Sequence, residues 1–155
     1  MKAARQLSVA ILLLIFVTAL FGSYHMITDP TGSSLGLPFY LLNGSIFTDY
    51  YTVGWILLFT VALFSGVVSL LVIRKNWYYS IFIMIQGVII CMLVFIEWLL
   101  LGETFIVQYV FLILGMALIG LGALQNQRKI AVDSERQARS QPQSRSHHHK
   151  HRKSK

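Results

Sequence analysis

Three polar side chains lie within or at the start of long apolar stretches, and they are the residues best placed to do chemistry. Gln86 and Glu97 belong to one apolar stretch, and Gln108 begins the next. Polar side chains are costly inside a bilayer, so they indicate either hydrogen bonds between helices or a path for protons or a ligand. Gln86, Glu97 and Gln108 therefore form the candidate intramembrane polar site.

Helical spacing relates these three residues to one another. Gln86 lies about 13 Å along a helix from Trp77, near the middle of a bilayer. A turn of about 100° per residue brings Glu97 back almost to the azimuth of Gln86, so both should face the inside of a bundle. A short turn would bring Gln108 to the depth of Glu97, and we predict a hydrogen bond between them. The alternatives are that Glu97 reaches the headgroups, or that it has a proton-coupled or ligand-binding role.

The elements that carry these residues are four apolar stretches. Each approaches or exceeds the ~20 residues that a helix needs to cross about 30 Å of hydrocarbon. The composition agrees, since 55% of the residues are hydrophobic and 12% are charged. We predict an all-α membrane protein whose residues 1–124 form a four-helix transmembrane bundle. Its helices should cover residues 7–24, 50–73, 77–101 and 104–124.

Positive charge fixes the predicted orientation. All 13 Lys and Arg residues fall at Lys2 and Arg5, at Arg74-Lys75, or in the segment from Arg128 onward. The positive-inside rule places all three regions in the cytoplasm, so the topology is N-in/C-in. The basic start of the first stretch is also typical of a secretory signal. It lacks a clear small-x-small cleavage site, and we expect a retained span.

The segment of residues 125–155 is a basic cytoplasmic tail. Residues 125–140 could continue as a polar helix, and we predict disorder from about residue 141, where apolar residues almost disappear. A basic cluster beside a span attracts anionic headgroups, so membrane lipids are the expected partners of the tail and nucleic acid is disfavoured. The His-rich run at His147–His151 is only compositional evidence for metal. We predict no metal site and no cofactor.

A long connection follows the first predicted helix. Asp29-Pro30-Thr31-Gly32 has the sequence of a tight turn. We expect the loop to fold back over the outer end of the bundle and to bury Leu37, Phe39 and Leu41; a lid over a pocket is the alternative. The candidate loop motif consists of residues that set turns or accept backbone hydrogen bonds: Asp29, Pro30, Gly32, Ser34, Gly36 and Pro38.

This loop carries a resemblance. The run from Asp29 to Pro38, followed by Asp49-Tyr50, resembles the first loop of small four-span bacterial integral membrane proteins of unassigned function. Such proteins also have a Glu late in the third span and a Gln early in the fourth, which correspond here to Glu97 and Gln108. The resemblance implies four spans and a bacterial inner membrane, and it implies no activity.

Small residues predict where helices approach each other closely. Ala62, Ser65, Gly66 and Ser69 form a stripe on the second span, and Gly115 and Gly122 form a weaker one on the fourth. Such stripes allow close packing within one chain or between copies. Packing within the chain is favoured, and a homo-oligomer is the alternative.

Motifs for known membrane enzymes are missing from the sequence. It has no Cys-x-x-Cys, no pair of His residues within the spans and no zinc-binding His/Glu motif there. We therefore expect a protein without catalytic activity. The main functional hypothesis is an accessory or scaffold protein that binds another membrane protein or lipid. The alternative is a small transporter or ligand-binding protein that uses Gln86, Glu97 and Gln108.

Overall fold

The computed structural model describes residues 2–43, 46–101 and 105–140, and this part of the chain is helical without strands. The first span is α1 (Lys2–Thr28). The second consists of α2 (Tyr50–Leu57), a π-helical segment (Leu58–Leu63) and α3 (Phe64–Ile73), which run without a break. The third span is α4 (Tyr79–Leu101), and α5 (Ile106–Ser140) contains the fourth. All four are long and apolar enough to cross a membrane, which confirms the predicted fold class.

Two helices extend beyond the apolar stretches that predicted them. α1 covers Lys2–Thr28 rather than residues 7–24. α5 continues past the predicted span to Ser140, as the polar helix predicted for residues 125–140 allowed. Backbone hydrogen bonds do not require lipid, and the Gln, Arg, Lys, Glu and Ala residues after residue 124 are good helix formers. The boundary of the bilayer therefore does not set the ends of these helices. The predicted disordered segment from about residue 141 lies outside the described residues.

The spans form a closed four-sided bundle. α1 packs against the second span on one side and against α5 on the other, while α4 packs against α5 and α3. Large apolar side chains are also exposed on every span, as expected for a surface that faces lipid. The buried core draws residues from all four spans: Leu12, Ile15, Ala19, Val61, Ala62, Val68, Val72, Tyr79, Ile83, Ile90 and Leu118.

Glycines bring α4 and α5 into close contact. A Cβ atom added at Gly87 would lie 2.6 Å from the Gly115 carbonyl oxygen, and one at Gly115 would lie 2.8 Å from Cys91 Sγ. A Cβ atom added at Gly122 would lie 2.8 Å from the Ser80 carbonyl oxygen. The predicted role of Gly115 and Gly122 in packing is confirmed. Gly87, the partner on α4, was not recognised in the sequence.

The small-residue stripe of the second span is used within the chain. Ala62, Ser65 and Ser69 are buried. A Cβ atom added at Gly66 would lie 3.2 Å from the Phe16 ring of α1. The stripe therefore packs against neighbouring spans, as the sequence favoured.

The basic segments lie at one end of the bundle. Gln125 of α5 donates a hydrogen bond to Ser8 of α1 (Nε2 to Oγ, 2.9 Å), and Lys129 donates to the Trp77 carbonyl (2.7 Å). These contacts bring the start of α1, the turn between α3 and α4, and the second half of α5 together. The antiparallel arrangement agrees with the predicted topology, and the charge pattern alone assigns this end to the cytoplasm.

The loop between α1 and α2 folds back over the opposite end. Its segment Phe39–Leu42 is a 3₁₀ helix that contacts α4. Leu41 is 4% exposed and Leu37 is partly buried, but Phe39 is 51% exposed. The expected burial of Phe39 is wrong: the segment is a 3₁₀ helix, in which Phe39 and Leu41 do not share a face as they would in an extended chain. Leu42 takes the buried position beside Leu41 instead.

Candidate functional site

Gln86 connects α4 to the second span in the middle of the bundle. Its side chain is fully buried, and Nε2 donates to Ser65 Oγ (2.7 Å) and to the Val61 carbonyl oxygen (3.4 Å). The Gln86 carbonyl oxygen Oε1 is buried and has no hydrogen-bond partner. The predicted inward orientation of Gln86 is confirmed, and half of its amide is used to hold two spans together.

The acceptor residue Val61 lies in the π-helical segment. A π turn contains one more residue than an α turn, and such segments often occur at functional sites. The Val61 carbonyl also accepts the Phe64 backbone N–H, and Thr60 Oγ1 donates to the Ile56 carbonyl (2.6 Å). No Pro or Gly lies within Leu58–Leu63, so no residue type in this segment predicted the irregularity.

Glu97 and Gln108 lie together near the other end of α4. Gln108 Nε2 donates to Glu97 Oε2 (3.4 Å), so the predicted contact is present. The Gln108 carbonyl oxygen accepts from Trp98 Nε1 (2.8 Å) and from the Phe105 backbone N–H (3.1 Å). Gln108 therefore fixes the start of α5 against the end of α4.

Trp98 is the member of this cluster that the sequence did not reveal. A buried indole N–H usually finds an acceptor, so a Trp next to the only intramembrane carboxylate was the available signal.

The three candidate residues do not form a single site. Gln86 and Glu97 are about 16 Å apart along α4. Gln86 bonds to the second span, whereas Glu97 and Gln108 bond across α4 and α5. The candidate residues therefore make two separate interhelical connections at different depths.

A third connection lies at the basic end and is made by Gln125, which belongs to the predicted tail. Gln125 is 3% exposed, and its donation to Ser8 joins α5 to α1. Ser8 in turn donates to the Ala4 carbonyl (2.9 Å). Gln125 directly follows the apolar stretch, so its burial was not visible from composition. Because α5 continues past the apolar stretch, the helix holds the Gln125 side chain in place.

Asp29 organises the outer loop. Its carboxylate accepts from Thr31 Oγ1 (2.6 Å), Ser33 Oγ (2.8 Å) and the backbone N–H of Ser34 (2.8 Å). These hydrogen bonds hold the pKa of the Asp29 carboxyl well below its usual range, with the bond from Thr31 contributing most. The Gly32 N–H closes the predicted turn on the Asp29 carbonyl (3.0 Å).

Three further residues of the loop motif, Pro30, Gly32 and Pro38, pack on Tyr50. The Pro30 carbonyl accepts the Tyr50 N–H, and the Pro38 carbonyl accepts the Tyr50 hydroxyl, both at 3.0 Å. Gly32 has φ 77°, and a Cβ atom there would lie 2.7 Å from the Tyr50 ring. Gly36, with φ 65°, ends the short 3₁₀ helix Ser33–Leu35. These contacts give the motif a structural role at the start of α2.

The described part of the chain does not bring possible metal ligands together. Among residues 2–43, 46–101 and 105–140, no group of three or more His, Cys, Asp or Glu side chains could hold a metal ion. The His147–His151 run lies outside those ranges. Cys91 is a partly buried free thiol next to Gly115.

The fold defines the class of the molecule: it is a small multi-pass membrane protein. Comparison with protein families, with curated proteins and with solved structures finds no match. The resemblance of the first loop to four-span bacterial proteins stays a hypothesis. The arrangement of the spans is therefore the basis for the function proposed below.

Proposed function

We propose that the chain is an accessory or scaffold protein of a bacterial inner membrane, which binds lipid or another membrane protein. One observation carries this proposal: the amides of Gln86, Gln108 and Gln125 donate across three different pairs of spans. Polar groups that tie helices to one another favour a closed bundle over a route for substrate. The basic end supports contact with anionic lipid.

The alternative is a small transporter or ligand-binding protein, and one observation favours it. The Gln86 carbonyl oxygen is unpartnered near the middle of the bundle. A buried acceptor without a donor is unfavourable by about 1–3 kcal/mol, and a transported ligand or water would relieve that cost. The separation of Gln86 from Glu97 and Gln108 weighs against this alternative.

Water accessibility of the core distinguishes the two functions. In a Cys91→Ala background, single cysteines replace the buried residues Ile83, Ile90 and Val94, and Gln127→Cys serves as an exposed control. The membranes are then treated with a small charged thiol reagent. The accessory role predicts labelling of the control alone. Labelling that extends along Ile83, Ile90 and Val94 would support transport and reject the closed bundle.

A further inference from the structure

A carboxylate and two aromatic rings meet at the end of the bundle opposite the basic segments. Glu97 lies about 6 Å by helical rise from Leu101, the last residue of α4. Its neighbour Trp98 packs against Tyr109 of α5, with ring centres 5.7 Å apart and ring planes tilted by 54°. Trp and Tyr side chains favour the membrane interface, so these residues lie close to the outer headgroups.

Gln108 holds the carboxylate and the indole in one place. Its Nε2 donates to Glu97 Oε2 at 3.4 Å, and its Oε1 accepts from Trp98 Nε1 at 2.8 Å. The nitrogen and oxygen of an amide are about 2.3 Å apart, so Glu97 Oε2 and Trp98 Nε1 lie within roughly 9 Å of each other. These hydrogen bonds fix the carboxylate beside the aromatic pair.

The Glu97 carboxylate has unused capacity to accept hydrogen bonds. A carboxylate accepts up to about four of them, and Gln108 is the only side chain of the described residues that donates to Glu97. Glu97 is partly exposed, and Tyr109 is 48% exposed. Glu97 Oε1 is not among the enclosed atoms that lack a partner, in contrast to Gln86 Oε1. A donor from outside the bundle can therefore reach the carboxylate.

No Lys or Arg of this chain lies on the same side of the membrane as Glu97. Residues 6–73 and 76–127 contain neither residue type, and they include the whole outer half of the bundle. His25, the only His before the tail, packs on two aromatic rings of its own helix instead. A carboxylate at the edge of the hydrocarbon is costly unless it is paired. The cation that pairs with Glu97 must then come from another molecule.

We propose that the Glu97 cluster, which consists of Glu97, Trp98, Gln108 and Tyr109, binds an ammonium group at the outer surface of the membrane. The ammonium donates to Glu97, and the rings of Trp98 and Tyr109 stabilise its positive charge through their π electrons. Two sources carry this group: the headgroup of phosphatidylethanolamine in the outer leaflet, and a small free amine. The cluster lies outside the closed core, so the proposal goes beyond the accessory role and does not depend on it.

Trp98 reports binding directly. Replacing Trp55 and Trp77 by Phe leaves Trp98 as the only Trp of the full chain. This protein is placed in nanodiscs of phosphatidylglycerol, which has no ammonium group. Replacing part of the lipid by phosphatidylethanolamine, or adding ethanolamine from the water, should change Trp98 fluorescence in a saturable manner. Ethylene glycol, which has the size of ethanolamine without its charge, should have no effect.

Variants locate the site in membranes of identical composition. Glu97→Gln removes the carboxylate but keeps its shape, and it should weaken ammonium binding about tenfold. Asp49→Asn removes the same charge elsewhere at the outer end, and Asn still accepts the Tyr51 N–H at the start of α2. It should have little effect. Tyr109→Leu should weaken binding roughly two- to fivefold, whereas Tyr109→Phe keeps the ring and should retain binding.

The two ligand sources give different supporting results. A response to phosphatidylethanolamine alone assigns the site to a lipid headgroup, whereas a response to ethanolamine shows that the site is open to free amines.

Four results would overturn the proposal. The first is the absence of a saturable response to either ligand, and the second is an equal response to ethylene glycol and ethanolamine. Equal losses for Glu97→Gln and Asp49→Asn would reduce the effect to general attraction by outer charges. Unchanged binding by Tyr109→Leu would remove the aromatic pair from the site.

The accessory role fails separately. Cysteine labelling of the core would reject that role and leave the ammonium site, whereas a closed core without ammonium binding would keep the role and remove the site.

Discussion

At the scale of single residues, the inside of the bundle relies on amides rather than charges. Gln86 joins α4 to the second span, Gln108 joins α5 to α4, and Gln125 joins α5 to α1. An amide both donates and accepts without the cost of moving a charge into lipid. Glu97 is the exception, and Gln108 donates one long hydrogen bond to its carboxylate.

Gln108 should contribute more to stability than Glu97. Gln108→Ala strands Trp98 Nε1 and the Phe105 N–H as well as Glu97, so it should destabilise the protein by about 1–2 kcal/mol. Glu97→Ala loses one long bond and should cost roughly 0.6 kcal/mol, while Glu97→Gln should preserve the fold. Denaturation in mixed micelles measures these changes. Double-mutant cycles should show stronger coupling of Gln108 to Trp98 than to Glu97; strict additivity in both cycles would contradict the hydrogen-bond network.

Asp29 should make the outer loop sensitive to strong acid only. Its folded-state pKa is depressed by hydrogen bonds from Thr31, Ser33 and Ser34, so its contribution is present above the unfolded value of about 3.9. That contribution is lost as pH falls through the lower folded-state value. Measured relative to Asp29→Ala at each pH, so that the protease's own pH dependence cancels, pepsin cleavage of the wild-type loop should be slow at pH 4 and rise progressively as the pH falls further. Asp29→Ala should be cleaved quickly throughout, and a wild-type transition above pH 4 would disprove the assignment.

At the scale of helices, the four spans were predictable and their irregularities were not. Long uncharged stretches suffice to identify helices that cross a bilayer. The polar segment at residues 125–140 is also predictable as a helix, because it is rich in good helix formers. The π-helical segment was missed because it depends on packing and on the Gln86 amide across the bundle. Gly87 was missed for the same reason, since only the partner helix reveals what a missing Cβ contacts. Trp98 differs, because its position beside Glu97 was a usable signal in the sequence.

The glycines of α4 and α5 give a matched pair of substitutions. Gly87→Ala places a methyl group 2.6 Å from the Gly115 carbonyl oxygen, so the helices must separate. Overpacking of this kind costs about 1–3 kcal/mol. Gly120→Ala meets no atom within 4 Å and should be neutral or stabilise the helix by up to about 1 kcal/mol. Thermal unfolding of both variants in detergent should separate them, and equal melting temperatures would refute the close contact.

The π-helical segment should tolerate loss of one residue. Because a π turn contains one extra residue, deleting Thr60 should convert Leu58–Leu63 to α-helix and leave the register of α2 and α3 unchanged. The cost should be limited to local hydrogen bonds such as that from Gln86 to Val61. Deleting Val67 from α3 instead rotates every preceding residue by about 100° relative to Ser69 and Val72. Yield and monodispersity should survive the first deletion only; similar loss in both would argue for a regular second span.

At the scale of the whole molecule, charge and packing determine different parts of the topology. The basic residues of the described chain lie at the start of α1, in the turn before α4 and in the second half of α5. Contacts between α1, α4 and α5 bring these segments together at one end. Packing decides which segments share a side, and the positive-inside rule decides which side that is.

Reporter fusions test separately which segments share a side of the membrane and which compartment that side faces. Fusions after Ser140 and within the turn at Arg74-Lys75 should report the same compartment, because the antiparallel bundle places both at one end. A fusion near Ser34 should report the opposite compartment. Disagreement between the first two would contradict the bundle itself. If they agree, the positive-inside rule predicts a cytoplasmic signal from both. Because charge then sets the orientation, replacing Arg74, Lys75 and Arg5 by Gln should increase the fraction of inverted molecules. Agreement of the two fusions on the outer side would keep the fold and reject the predicted orientation.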